Sequence, residues 1–71
     1  MKVKASRYVG AQCSVNGCRG EIGPCAGGWY PVRCFGRLVV WASPGLVVRQ
    51  MTTDKRFTCL TRHNPEYIYA G

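Results

Sequence analysis

Residues 29–42 read Trp-Tyr-Pro-Val-Arg-Cys-Phe-Gly-Arg-Leu-Val-Val-Trp-Ala, and this stretch decides the fold. Successive side chains of a β-strand point to opposite sides of the sheet, so the stretch divides into two faces with a period of two. The even-numbered positions are apolar or small, which predicts a core face made of Tyr30, Val32, Cys34, Gly36, Leu38, Val40 and Ala42. The pattern predicts one long central strand, and Gly36 in its middle predicts a bend or bulge.

The odd-numbered positions of the same stretch place two arginines among three aromatic rings. Rings and guanidinium planes stack on bases, and guanidinium groups bind phosphates. Trp and Arg are also enriched at the centres of protein–protein interfaces, and in a small barrel the same rings can cover the core under arginine stems. The candidate partner-binding residues are Trp29, Arg33, Phe35, Arg37 and Trp41, with Arg49 and Arg56 on the following strands.

The rest of the chain alternates strand-forming stretches with turn signals. Further strands are predicted, in order, over 2–12, 46–52, 56–62 and 66–70. Tight turns are predicted at 43–45 and 53–55, a break at 63–65, and an irregular Gly- and Cys-rich loop over 13–28. The chain is therefore predicted to be one small all-β domain over residues 1–71. We expect an antiparallel meander of four to five strands that forms a curled sheet or a partly closed barrel with a long bent central strand.

The charge of the chain indicates an acidic partner. Ten Lys and Arg residues against three Asp and Glu residues give a net charge of +7, and seven of the ten are arginine. Arginine binds phosphate through a planar, bidentate fork, so nucleic acid and an acidic protein surface are both candidate partners. The chain has no run of about 20 apolar residues and its first residues lack an apolar signal core, so a cytoplasmic location is expected and a membrane partner is not.

Five cysteines leave three interpretations open. Cys13, Cys18 and Cys25, with either Cys59 or His63, provide the ligand types of a zinc site, although a Cys-x4-Cys spacing is a weaker signal than paired Cys-x2-Cys motifs. Disulfides would fit a secreted mini-protein, but an odd count leaves one thiol over. The third interpretation is free thiols, with Cys34 and Cys59 buried as small apolar groups. We expect no cofactor, with zinc as the alternative.

The sequence offers little for catalysis, because its three acidic residues lie apart and its one histidine lies in a predicted turn. We therefore expect a non-enzymatic binding protein with no small-molecule substrate. One hypothesis is a small inhibitor or adaptor, of the kind that phages and mobile elements encode, that docks on a nucleic-acid-handling protein complex. Another is direct binding of nucleic acid. Self-association into a homo-oligomer, a secreted disulfide-stapled mini-protein and a zinc-stabilised nucleic-acid-binding module are the alternatives.

Overall fold

The computed structural model describes residues 3–53, 56–57 and 66–70. A short 3₁₀ helix (Ala5–Tyr8) comes first. The regular elements that follow are β1 (Gln12–Val15), β2 (Cys18–Ile22), β3 (Tyr30–Cys34), β4 (Arg37–Ala42), α1 (Pro44–Thr53), β5 (Arg56–Phe57) and β6 (Tyr67–Tyr69). The six strands form one curled sheet in the order β5-β1-β2-β3-β4-β6, which confirms the predicted all-β class and curled sheet.

Strands β1 to β4 form an antiparallel meander, as predicted, and β6 pairs antiparallel with β4. Strand β5 instead pairs parallel with β1. Only the first two residues of the predicted strand 56–62 are described. Cys59, His63 and the remaining calls within 58–65, together with Asp54 and Lys55 of the predicted turn, lie outside the described residues.

Two-residue turns close the meander at three places. Asn16-Gly17 joins β1 to β2, and Gly27-Gly28 closes a bridge in which Ala26 and Trp29 exchange backbone hydrogen bonds of 2.8 and 3.1 Å. The third pair, Phe35-Gly36, joins β3 to β4. All six residues have positive φ, as type I′ turns require, because the twist of these turns matches the twist of the strands they join.

The prediction of one bent strand over 29–42 is therefore wrong, since the chain reverses completely at Phe35-Gly36. The hairpin also contains a β-bulge. Arg33 pairs with Leu38 but Val32 pairs with Val40, so one residue, Val39, is left over on β4. The predicted core positions are buried, with two exceptions. Gly36 lies in the turn, and Leu38 is half-buried on the same face of the sheet as Arg33.

The predicted strand 46–52 and its preceding turn are also wrong, because 44–53 is an α-helix. Ser43 caps this helix: the backbone N–H of Leu46 donates to its Oγ at 3.2 Å. Pro44 follows at the first helical position, where its fixed φ is favourable and its missing N–H costs nothing. Leu46, Val47 and Met51 are the buried residues of α1 and lie on the side that faces the sheet.

The first 28 residues differ from prediction as well. The predicted strand 2–12 contains the 3₁₀ helix and only the first residue of β1, and the predicted loop 13–28 contains most of β1 and all of β2. One hydrophobic cluster lies between the inner face of the sheet, α1 and the 3₁₀ helix, with Phe57, Ile22, Val32, Val40 and Val47 as its most buried large side chains. Within the described residues, no helix is long and apolar enough to span a membrane.

Candidate partner-binding face

The side of the sheet turned away from α1 is termed the outer face. Strand register assigns its residues: Arg56, Ser14, Arg19, Gln12, Glu21, Arg33, Leu38, Pro31, Trp41 and Ile68. Trp29, two residues before Pro31, continues the same side at the start of β3. The face is divided, because charged residues lie towards β1, β2 and the hairpin turns, whereas apolar residues lie towards β4 and β6.

The apolar half is a row across three strands. Trp41 lies between Pro31 on β3 and Ile68 on β6. Pro31 is buried although it faces outwards. Trp41 is half-buried, so only part of its indole ring is accessible to a partner. Ile68 is 50% exposed. The structure places Trp41 on the same face as Arg33, as predicted. The turn and the bulge each shift the alternation of side chains by one position, so the two shifts cancel.

The charged half carries arginines with little acid to neutralise them. Arg19, Arg33 and Arg56 are exposed there, and Glu21, which lies directly opposite Arg33, is the one carboxylate among the described residues of the outer face. Neither Arg19 nor Arg33 forms an ion pair within 4.0 Å with any described residue. Such guanidinium groups are available to bidentate anions.

A shallow depression lies in this half, next to the Phe35-Gly36 turn. Its volume is about 240 Å³, and Arg19, Glu21, Arg33 and Phe35 are among its lining residues. Gly20 pairs with Cys34 across the strands, which brings Arg19 next to the turn that carries Phe35. The Arg33 side chain also extends over the adjacent connection, since a Cβ added to Gly23 would lie 3.0 Å from its Nη1.

Phe35 is the most exposed large apolar residue described, with 86% of its surface accessible. Its φ is +55°, in the left-handed region that bulky side chains rarely adopt. Phe35 therefore combines backbone strain with a ring that contributes almost nothing to the core.

The structure does not bring all predicted site residues together. Trp29, Arg33, Trp41 and Arg56 lie on the outer face and Phe35 lies at its edge. Arg37 pairs with Cys34, so its register places it on the other side of the sheet, exposed at the hairpin end.

Arg49 is also elsewhere. The prediction that a strand carries it is wrong: it lies on α1 and forms an ion pair with Glu66, which precedes β6. Arg49 is therefore separated from the outer face by the sheet, and its predicted contact with a partner has no support from its position.

Sequence reasoning missed Arg19, Glu21, Leu38 and Ile68. The first two lie in β2, inside the predicted loop 13–28. Asn-Gly flanked by alternating residues is a strong hairpin signal, and reading Asn16-Gly17 in this way would have placed Arg19 and Glu21 on one outward face.

The four described cysteines are free thiols. Cys13 and Cys34 are buried, whereas Cys18 and Cys25 are exposed, so the predicted burial of Cys34 is confirmed and no disulfide joins these four. Burial and the nearby Cys34 raise the pKa of the Cys13 thiol to about 11. Burial, and then a hydrogen bond with Cys18, raise the pKa of the Cys34 thiol.

Cys25 has a different neighbour. It contacts Tyr30, whose pKa is raised by burial and by this neighbour. Within the described part of the chain no three His, Cys, Asp or Glu residues are grouped in a way that could hold a metal ion.

Comparisons with protein-family models, with curated proteins and with solved structures found no match to this chain.

Proposed function

We propose that this protein is a non-enzymatic binding module that holds single-stranded nucleic acid on the outer face of its sheet. The observation that carries this proposal is one depression lined by a strongly exposed aromatic ring and by Arg19 and Arg33, which are exposed and form no ion pair with a described residue. Phosphates take charge-assisted hydrogen bonds from arginine, and bases stack on aromatic side chains whatever their sequence. The net charge of +7 adds a long-range attraction for a polyanion.

A single strand fits this face better than a duplex does. Its bases are unpaired and can turn towards a sheet, which lets rings and phosphates be contacted together. The face offers arginines on β2, β3 and β5, and no helix of the described residues projects from it to enter a major groove. The predicted cytoplasmic location is compatible with such a ligand and stays a prediction.

The test is fluorescence anisotropy with a labelled DNA strand of about 12 nucleotides, a length within the usual footprint of small sheet domains. Binding should weaken from about 50 to about 200 mM salt, with a log–log slope near −2 if three arginines contact phosphates, since each contact on a single strand contributes about −0.7. Absence of binding at low salt, or binding that salt does not weaken, contradicts the proposal.

A matched pair of variants locates the surface. Arg33→Gln and Arg7→Gln remove the same charge, but Arg33 lies on the outer face and Arg7 lies on the 3₁₀ helix, which packs against α1. Arg33→Gln should weaken binding several-fold and make the salt slope less steep by about 0.7. Arg7→Gln should have a much smaller effect. Equal losses would show that net charge alone, rather than this face, attracts the nucleic acid.

The apolar row favours a second candidate, an acidic protein that covers the outer face. Trp41 and Ile68 form the type of apolar centre that protein interfaces bury, and the arginines would form its charged rim. In this case nuclease-treated lysate should yield one protein that the parent and Arg7→Gln retain and that Trp41→Ala loses. A partner that disappears with nuclease treatment supports nucleic acid instead.

Self-association through the same row is tested in the same samples. Sedimentation velocity of the parent and Trp41→Ala at several concentrations gives the oligomeric state directly. A dimer that Trp41→Ala converts to monomer would assign the row to a second copy of this chain.

A further inference from the structure

The three two-residue turns with positive φ that join strands in the described part of the chain differ in one respect. Asn16-Gly17 and Gly27-Gly28 use residues that adopt positive φ readily, whereas Phe35-Gly36 places a bulky side chain there. Asn16 has nearly the same φ as Phe35, +49° against +55°. The first hairpin therefore shows the residue that would suit position 35 on conformational grounds alone.

Packing of the Phe35 ring does not offset the energetic cost of this strained backbone conformation. It is 86% exposed, whereas Phe57, the other phenylalanine of the chain, is 1% exposed in the core. Strained residues with exposed side chains cluster at ligand-binding sites, where the strain holds the side chain in a useful direction. The ring at the hairpin tip is thus available to a ligand.

We infer that Phe35 is the stacking platform for one base of the bound single strand, and that Arg19 and Arg33 bind the phosphate next to that base. This inference rests on the proposed function and adds a nucleotide subsite to it. Phe35, Arg19 and Arg33 line the same depression. Its volume of about 240 Å³ is below the ~300–1,000 Å³ of pockets for drug-sized ligands and suits one planar group.

The positive charges of Arg19 and Arg33 indicate which class of ligand suits this subsite. An apolar peptide side chain would contact the ring but would offer no charged partner to Arg19 and Arg33, neither of which forms an ion pair within 4.0 Å with a described residue. A nucleotide supplies a flat π-face for the ring and oxygens for both arginines.

The decisive variants are Phe35→Asn and Phe35→Tyr. Phe35→Asn removes the ring and supplies a residue that favours the left-handed turn, so it should raise Tm by about 4–8 °C while it weakens oligonucleotide binding by about tenfold. Phe35→Tyr keeps the ring and the strain, so it should bind like the parent at an unchanged Tm. A more stable protein that binds less well is the result that a structural role for the ring does not produce.

The two phenylalanines also provide an internal spectroscopic control. In protein labelled with ¹³C-phenylalanine, titration with the same DNA strand should shift the Phe35 ring signals upfield, because a stacked base shields them. The Phe57 signals should not move, since this ring is buried in the core.

The outcomes separate this inference from the proposed function. If the parent binds DNA and Arg33→Gln weakens it, but Phe35→Asn binds like the parent, the outer face binds nucleic acid and the Phe35 subsite is wrong. A lower Tm for Phe35→Asn would assign the ring to stability and also overturns the inference. If the parent binds no DNA at low salt, the proposed function and this subsite both fail.

Discussion

Gly20 and Gly45 lie in surroundings that an added methyl group would affect in opposite ways. A Cβ at Gly20 would lie 2.8 Å from the backbone oxygen of Arg33 and 2.8 Å from Cγ2 of Val15, so the strands would have to separate. A Cβ at Gly45, near the start of α1, would meet nothing within 4 Å. The difference comes from position in the fold, since neither glycine needs positive φ.

We therefore expect Gly20→Ala to lower the free energy of unfolding by about 1–3 kcal/mol, the usual cost of overpacking. Gly45→Ala should raise it by about 0.5–1 kcal/mol, because alanine restricts the unfolded chain and favours helix. Urea denaturation of both variants beside the parent measures the two changes. A Gly20→Ala variant as stable as the parent would show that β2 and β3 are not packed as closely as described.

Cys13 links stability to alkaline pH. Burial and the nearby Cys34 raise its pKa from 9.0 to about 11. Above pH 9 the thiol of the unfolded chain loses its proton while the folded thiol keeps it, so the native state binds more protons and stability falls as pH rises from about 9 to about 11. The stabilisation is fully present below pH 9.

The measurement is urea denaturation between pH 8 and pH 11 for the parent and Cys13→Ala. The variant should be less stable at pH 8 because it leaves a small cavity, but its stability should decline less over the alkaline range. Equal declines would mean that the Cys13 thiol titrates normally.

At pH 8 a thiol reagent should modify exposed Cys18 and Cys25 well before buried Cys13 and Cys34.

At the scale of elements, the N-terminus of α1 depends on one side chain. The Ser43 Oγ accepts the Leu46 N–H at 3.2 Å, and the Ser43 backbone oxygen accepts the Val47 N–H at 3.0 Å. Ser43→Ala removes only the first of these bonds and should lower the free energy of unfolding by about 1 kcal/mol. Ser6→Ala, in the exposed part of the 3₁₀ helix, is the control and should change stability by much less. Similar losses from both variants would argue against a specific cap.

The same helix shows where sequence reasoning succeeded and where it failed. Leu46-Val47-Val48 is a short apolar run, and β-branched residues favour strands, so this run by itself predicts a strand. Ser43-Pro44 in fact combines an N-cap with the residue preferred at the first helical position, and the contacts of the buried side chains with the sheet then outweigh local propensity.

The prediction of one strand over residues 29–42 was wrong for a different reason. A period of two continues on either side of a two-residue turn, so periodicity alone does not show that the chain reverses. Phe-Gly is also not a usual type I′ pair, because phenylalanine disfavours the left-handed region. The burial of Tyr30, Val32, Val40 and Ala42 was predictable because alternation is local, whereas the bulge at Val39 depends on pairing with β3.

At the scale of the whole molecule, the two described acidic residues, Glu21 and Glu66, lie in different parts of the fold. The sheet turns its inner face to α1 and leaves arginines on the outer face, with Arg49 neutralised by Glu66 on the far side. Glu21 is the one described carboxylate on the outer face, so it opposes the approach of any polyanion. Glu66 offers a matched control, because its removal changes net charge equally at a different place.

Glu21→Gln should therefore tighten binding of the DNA strand by about 1.4- to fivefold at low salt, which corresponds to the ~0.2–1 kcal/mol that one exposed charge pair contributes. The gain should shrink as salt rises, since screening shortens the range of the interaction. Glu66→Gln should give little or no gain. If both variants gain equally, net charge governs affinity and the position of the face does not. If Glu21→Gln loses affinity, the carboxylate itself accepts a hydrogen bond from the ligand, and comparing strands that carry a single guanine or inosine in a thymine tract would show whether the N2 amino group of guanine donates it.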